Sequence, residues 1–393
     1  MKKILIVFLL TLSVNIFGQS DSSNINITKP PGFTTVIPIE IVKGKLIIKA
    51  EINGKSYRFI LDTGSLTLIS KRLFDELNPE NIQKVYVTDQ SGIRDSIDVV
   101  KLEKVTIGEF AITNAEAFAL KENNPLVDCF DVDGFIGSNL LSCFVVQFSF
   151  SDSTITLATG PQMLTLLEKQ SSELILDEQF SPHFTIKLKK NKKEAQQIVL
   201  FDTGDDELYT LSHKDYASLK KDGILDFVGG ANGANSIGIH GNAVESTHYR
   251  LKVPTIEMNG LQYKNVSTLT TQGASRIGSE ILKNAIVTLD FQNKKYYIQP
   301  ISSSKIDAYE TKLPFDPDVR DGKAVVGFIW DYSVCKNINV GDEILTINDF
   351  NFQNLNPCDL LIKEFDLKVA KKVTMTTKDK AGIIHTTIFK KKK

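Results

Sequence analysis

The sequence predicts an all-β protein built from two similar halves, with a smaller β-rich module after them. Three observations carry this. Short apolar and alternating runs, separated by turn signals, recur along most of the chain. Phe59-Ile60-Leu61-Asp62-Thr63-Gly64 is echoed by Val199-Leu200-Phe201-Asp202-Thr203-Gly204. Ile136-Gly137-Ser138-Asn139-Leu140-Leu141 is echoed by Ile277-Gly278-Ser279-Glu280-Ile281-Leu282.

The offset is 140 residues for the Asp pair and 141 for the Ile pair, so each half keeps nearly the same distance between its two motifs. Matched spacing of two separate motifs points to a duplicated unit rather than coincidence. The expected boundaries are 35–160 for the first half, 165–302 for the second and 305–393 for the C-terminal module.

The strands follow in order. Lys45 to Ile52 and Tyr57 to Leu61 flank Asn53-Gly54, a hairpin signal because both turn positions need positive φ. Cys143 to Phe150 and Ala285 to Phe291 are matching apolar strands, and each leads into another, Thr154 to Ala158 and Lys295 to Gln299. Short helices are expected over 70–77 and 215–221, just past each Asp-Thr-Gly. Pro161 to Glu173 reads as an irregular or helical connector, and Ile301 to Ser304 as the next boundary.

Composition sets broad limits. The 393 residues are 42% hydrophobic and 24% charged, with a formal net charge of −1, an ordinary globular balance that gives no reason to expect a nucleic-acid partner. Five His and four Cys show no C-x-x-C or H-x-x-x-H spacing, so no metal and no cofactor is expected. The final lysines, Lys390 to Lys393, read as a solvated tail. Lys2 and Lys3 precede an 11-residue apolar run, Ile4 to Val14, with small and polar residues around Gly18. That describes a secretory signal peptide cleaved near Gly18, too short to span a bilayer, and hence a secreted or periplasmic protein. An oxidising compartment permits disulfides. Two states stand equal: local pairing of Cys129 with Cys143 and of Cys335 with Cys358, or four free thiols.

The chemistry lies in the carboxylates. Two carboxyl groups about 3 Å apart cannot both ionise, so one stays protonated while the other stays charged. Such a pair activates a water and protonates a peptide carbonyl with neither metal nor covalent nucleophile. Asp62 and Asp202 are the candidate catalytic residues. Apolar residues before each Asp would deliver it to a partly dry site, and Gly64 and Gly204 would let backbone N–H groups approach. Thr63 and Thr203 offer hydroxyls to bond across the junction, while Gly137 and Gly278 would let a strand pass close behind each loop. One Asp-Thr-Gly arises by chance in roughly one chain of this length in ten, but two in about one in a few hundred. The pairing therefore carries the inference, against the alternative of two ordinary strand-end turns.

On these motifs the chain resembles the retropepsin-like and pepsin-like aspartic proteases over about Thr35 to Pro300. Phe135-Ile136-Gly137 fits the family's hydrophobic-hydrophobic-Gly motif, whereas Arg276-Ile277-Gly278 departs at its first position. The resemblance implies two acid-protease-type β-barrel lobes related by an internal pseudo-two-fold, with a peptide or protein substrate in the cleft between them. It also implies a closing hairpin in each half, around Ser91 and Gly92 and within 228–244, which includes Gly233, Gly238 and His240. A flexible surface loop is the competing reading of the second segment, and solvation the simpler role for His240.

Ser65 follows the first Gly and suits hydrogen bonding to the pair. Asp205 and Asp206 follow the second, where an extra carboxylate would raise the titration of the pair and change the working pH or abolish activity. The C-terminal run Val340-Gly341-Asp342-Glu343-Ile344-Leu345-Thr346-Ile347-Asn348 resembles a bacterial-type PDZ domain. That resemblance implies a peptide ligand added at a sheet edge. The loop expected to receive it, over 315–323, lacks the usual Gly-flanked apolar pattern, and a stabilising or positioning role stands equal to peptide capture. The function class opposed to an endopeptidase is a non-catalytic peptide-binding scaffold of the cell envelope.

Overall fold

The computed structural model describes residues 26–28, 32–89, 93–167, 170–233, 237–242, 245–310, 312–333, 335–353, 355–362 and 372–390. The expected signal peptide lies outside them. The chain is all-β, with only short helices between strands.

The predicted hairpin is present as strands Lys45–Ile52 and Lys55–Asp62, with Asn53 at φ 52° and Gly54 at φ 84° in the turn. Its second strand runs parallel to Gly134–Gly137, with Gly137 opposite Asp62. The later half repeats the device: Lys193–Asp202 runs parallel to Arg276–Gly278, with Gly278 opposite Asp202. Helices follow where expected, Lys71–Leu77 capped by Ser70 and His213–Asp222 capped by Ser212, each cap hydroxyl accepting a first-turn N–H.

The two halves meet in a six-stranded sheet. Val145–Ser149 pairs antiparallel with Ala285–Asp290, flanked by Thr154–Ala158 and Lys295–Pro300 and then by the edge strands Thr34–Pro38 and Ser171–Glu173. At its centre Gln147 faces Thr288, and the Gln147 Nε2 donates to Thr288 Oγ1 at 3.0 Å. One apolar core runs through both halves, from Phe59 and Phe110 to Phe201 and Tyr296. Phe184 stacks on Tyr296 at 3.9 Å and on Phe201 at 4.8 Å between ring centroids, which places an aromatic column behind the second Asp strand.

The later residues form a separate sheet in the order Phe315–Arg320, Lys323–Ile329, Glu343–Ile347, Lys372–Lys378, Ile384–Lys390, over its own apolar cluster. The expected loop over 315–323 is instead a hairpin. Asp321 at φ 50° and Gly322 at φ 72° make the turn, and Phe315–Arg320 is a paired strand. Asp-Gly is itself a strong hairpin signal, and the sequence reading missed it.

The cysteines pair differently from the local expectation. Cys129 is bonded to Cys358, 229 residues away, while Cys143 and Cys335 are free. Local spacing misled because the short helix Pro125–Cys129 packs against Pro357–Ile362, a contact that only the tertiary fold creates.

Candidate active site

Each Asp sits at the C-terminal end of a buried strand, where the chain turns sharply through Thr-Gly. Asp62 Oδ1 accepts the Gly64 N–H at 2.9 Å, and Asp202 Oδ1 accepts the Gly204 N–H at 2.9 Å. A methyl group on Gly64 would lie 2.6 Å from Asp202 Cγ, and one on Gly204 2.5 Å from Asp62 Cγ. Glycine is required at both positions because each backbone passes directly over the other half's carboxylate.

The threonines lock the two loops together. The Thr63 N–H donates to Thr203 Oγ1 at 3.1 Å, and the Thr203 N–H donates to Thr63 Oγ1 at 3.0 Å. Each hydroxyl in turn donates to the strand opposite, Thr63 to the Phe201 carbonyl at 2.5 Å and Thr203 to the Leu61 carbonyl at 2.8 Å. Both side chains are fully buried, so each hydroxyl satisfies its own bonding capacity and that of a buried backbone group.

Behind each loop passes the strand of the second motif. A methyl on Gly137 would come within 2.3 Å of the Ser65 carbonyl oxygen, and one on Gly278 within 2.5 Å of the Asp205 carbonyl oxygen. The next residues close the contact in the same way, with Ser138 N–H to the Ser65 carbonyl at 2.8 Å and Ser279 N–H to the Asp205 carbonyl at 2.7 Å. Ser65 and Asp205 thus occupy equivalent backbone positions. Their side chains differ: Ser65 Oγ donates to the Leu66 carbonyl at 3.1 Å, away from the carboxylates.

The crossed loops bring the two carboxyl groups together, each beneath the other half's glycine, and the Asp62 carboxyl is pushed up to about 7. Burial is the largest cause and the adjacent Asp202 charge the second, while the Gly64 N–H and Lys45 work against the shift. This is the behaviour expected of like charges in contact.

Two cations complete the site, and the sequence reading had given neither a role. Arg276 is buried, and its Nη1 donates to Asp202 Oδ2 at 3.1 Å while its Nε lies 3.5 Å from Asp205 Oδ2. Burial opposes its charge, but Asp202 and Asp205 outweigh that and hold the guanidinium above its ordinary value. Lys45 Nζ donates to the Gly204 carbonyl at 2.5 Å and to Asp206 Oδ1 at 3.0 Å. Burial raises the Asp205 carboxyl and the Arg276 charge offsets part of that rise. For Asp206 burial is overcome by Lys45, and its carboxyl is held low. The extra carboxylate does not simply burden the pair: Asp205 bonds to the Glu207 N–H, to the Thr210 hydroxyl and to Arg276, and it is not among the main causes of the shift at Asp62. The signal in the sequence is a pair of departures of opposite charge, Arg276 in an apolar motif position and Asp205 in a hydroxyl position, which nothing in the sequence links to one another.

The expected closing hairpins are partly described. Ser91 and Gly92 lie outside the described residues, but Glu80–Thr88 and Arg94–Ile107 pair on either side of them. Asp89 at that tip accepts the His240 N–H at 3.0 Å, and a methyl on Gly238 would strike Asp89. Asn124 Nδ2 also reaches the Gly238 carbonyl at 3.0 Å. The strand Asp226–Gly233 rests on the C-terminal sheet, with a methyl on Gly233 falling 2.7 Å from Phe328 Cε1 and one on Gly229 2.7 Å from the Trp330 carbonyl oxygen. Trp330 stacks on Phe328 at 5.0 Å, donates to Asp316 Oδ2 at 2.8 Å and carries the buried Arg250 guanidinium over its ring at 4.6 Å.

Residues 48–140 match the family model described as aspartyl protease, a segment that contains Asp62-Thr63-Gly64 and Phe135-Ile136-Gly137. Among solved structures, the chain is similar to a retropepsin-like aspartic protease from Rickettsia conorii, at 17% identity, over 34% of this chain and 91% of that one, with a TM-score of 0.24. No curated protein matches. Among the described residues no helix is long and apolar enough to cross a membrane, and no group of three or more His, Cys, Asp or Glu is set to hold a metal.

Proposed function

We propose that the chain is an aspartic endopeptidase with two lobes in one chain, secreted or periplasmic, in which Asp62 and Asp202 activate one water. The observation that carries this reading is the carboxyl pair brought together under two crossed Thr-Gly loops. The charged member takes a proton from water as its oxygen attacks the peptide carbonyl carbon, and the protonated member gives its proton to the carbonyl oxygen. Collapse of the tetrahedral intermediate breaks the C–N bond: the amine leaves with the proton first taken from water, and the re-forming carbonyl returns its proton to the carboxylate that gave it. The contact between equivalent residues Gln147 and Thr288, 141 apart like the two Ile-Gly-Ser motifs, supports a two-fold relation between lobes. A disulfide between distant segments and the N-terminal apolar run support an oxidising compartment.

The C-terminal module, with its PDZ-like Gly-Asp-Glu-Ile-Leu run, serves in this reading to position the strand Asp226–Gly233. The Trp330 and Phe328 contacts with that strand favour positioning over capture of a peptide end. The test is hydrolysis of a broad peptide library by purified wild type, D62N and D202N from acidic to neutral pH. Wild type cleaves and both variants lose activity by at least about a thousandfold; unchanged hydrolysis in either variant defeats the proposal. The scaffold reading would be supported by peptide binding with no hydrolysis at any pH.

A further inference from the structure

Arg276 stands where the first motif has Phe135. Phe135 is buried in an apolar cluster with Ile60, Leu68 and Phe118, whereas Arg276, with 6% exposure, brings a positive charge to the same depth. A guanidinium at that depth is costly unless its charge and its N–H groups are matched. The match is provided by Asp202, by Asp205 and by the Ala274 carbonyl, to which Nε donates at 3.3 Å.

Apart from this arginine, the backbone contacts of the cradle treat the two carboxyls alike, although Asp202 is buried and Asp62 half-buried. Each accepts one backbone N–H from its own Gly at 2.9 Å, and each lies under the backbone of the opposite Gly. Two carboxyls in a symmetric cradle would share one proton without preference. Of the charged groups around the pair, Asp205 is turned to its own partners and Asp206 to Lys45. Lys45 bonds to neither Asp62 nor Asp202, and its charge acts on both. The Arg276 charge also reaches Asp62, but its Nη1 donates to Asp202.

Resting on the reading of this pair as a protease dyad, we propose that Arg276 is a positioning residue that keeps the negative charge on Asp202 and the shared proton on Asp62. Asp202 is then the base that receives the water proton, and Asp62 the acid that protonates the substrate carbonyl oxygen. Asp205 acts one step further out, as the counter-charge that offsets the cost of burying the guanidinium. The departures Ser65 to Asp205 and Phe135 to Arg276 are on this account one device, a carboxylate and a guanidinium that neutralise each other and break the symmetry of the pair.

The test uses the full chain with R276M, R276Q, R276K and D205N. The readouts are the carboxyl carbon resonances of labelled aspartates across pH, which need no turnover, and the pH profile of kcat/KM on a cleaved peptide. Both neutral variants move the acid-side titration step of the pair upward by about 1 to 3 pH units, the range for loss of an adjacent opposite charge. The acid limb of kcat/KM moves with it. R276K stays closer to wild type than either neutral variant, and D205N causes no upward shift. R276Q keeps an N–H donor, so it provides a neutral side chain to read should R276M fail to fold. A pair titration unchanged in the folded neutral variant overturns the proposal, as does an upward shift in D205N as large as that in R276Q. Absence of hydrolysis at every pH defeats the dyad reading instead, since the carboxyl titration tests Arg276 without it.

Discussion

Thr63 and Thr203 each donate a backbone N–H to the other's hydroxyl, at 3.1 and 3.0 Å, and both side chains are sealed from solvent. Replacing either by Ala leaves a buried N–H and a buried carbonyl without partners. T63A and T203A should each lose about 1–3 kcal/mol of stability per unsatisfied group. The double variant should fall short of the sum, because each change already breaks the shared lattice. Thr to Ser restores the hydroxyl and should recover most of the loss. Urea unfolding of these variants checks this.

Gly137 and Gly278 are constrained by space, since neither has positive φ. A methyl on either would press into backbone of the loop in front, at 2.3 Å in each case, and backbone cannot swing aside as a long side chain does. G137A and G278A should destabilise by about 1–3 kcal/mol or more through overpacking. Gly260, with nothing within 4 Å of an added methyl, is the comparison, its cost limited to backbone strain at φ 82°. Thermal melts that rank G260A as the most damaging of the three would contradict this account.

Asp62 links stability to pH and, on the proposed function, activity as well. Its carboxyl rises from 3.8 to about 7, by burial first and the Asp202 charge second. The folded chain therefore holds this proton more tightly than the unfolded one. The resulting stabilisation is fully present below about pH 4 and is lost as pH rises through about 7. Wild type should lose stability from pH 5 to pH 8 by on the order of a few kcal/mol more than D62N, and hydrolysis should decline above about pH 7. Urea midpoints at the two pH values and a pH–rate profile measure both.

The cysteines have a direct chemical test. Unfolding without reductant should expose two thiols, those of Cys143 and Cys335, and peptide mapping should find Cys129 joined to Cys358. In the folded chain burial pushes both thiols up to about 11, so alkylation at neutral pH should be slow. Because the bond closes a span of 229 residues, C129S or C358S should lower stability by about 2–5 kcal/mol.

Trp330 joins the C-terminal sheet to the strand Asp226–Gly233. W330A removes the stacking on Phe328 and the ring beneath Arg250, and it should raise amide exchange over 226–233 at least about tenfold, while 45–62 keeps its protection. Equal exchange in W330A and wild type would mean that this strand is held by its pairing with Ser246–Met258 alone.

Much of the site was legible before any coordinates. The apolar strands, the Asn-Gly turn and both capped helices are local signals, set by backbone propensity and by the spacing of apolar residues. The repeat brought Asp62 and Asp202 together because equal spacing implies equal folds, and glycine opposite each Asp followed from the same repeat. The hairpin at Asp321-Gly322 is equally local, an Asp-Gly turn between two paired strands.

Other features have no local signature. The bond between Cys129 and Cys358 depends on two short helices meeting across the molecule, and the tip contacts of Asp89 with His240 depend on how two hairpins lean. The charge balance of the pair belongs in this group. Sequence alone determined that two carboxylates of a duplicated motif would face each other, since identical strand-turn geometry in two halves leaves few other arrangements. Only the tertiary structure decided that Arg276 reaches Asp202, because electrostatic partners are chosen by distance and burial, which neighbours in sequence do not reveal.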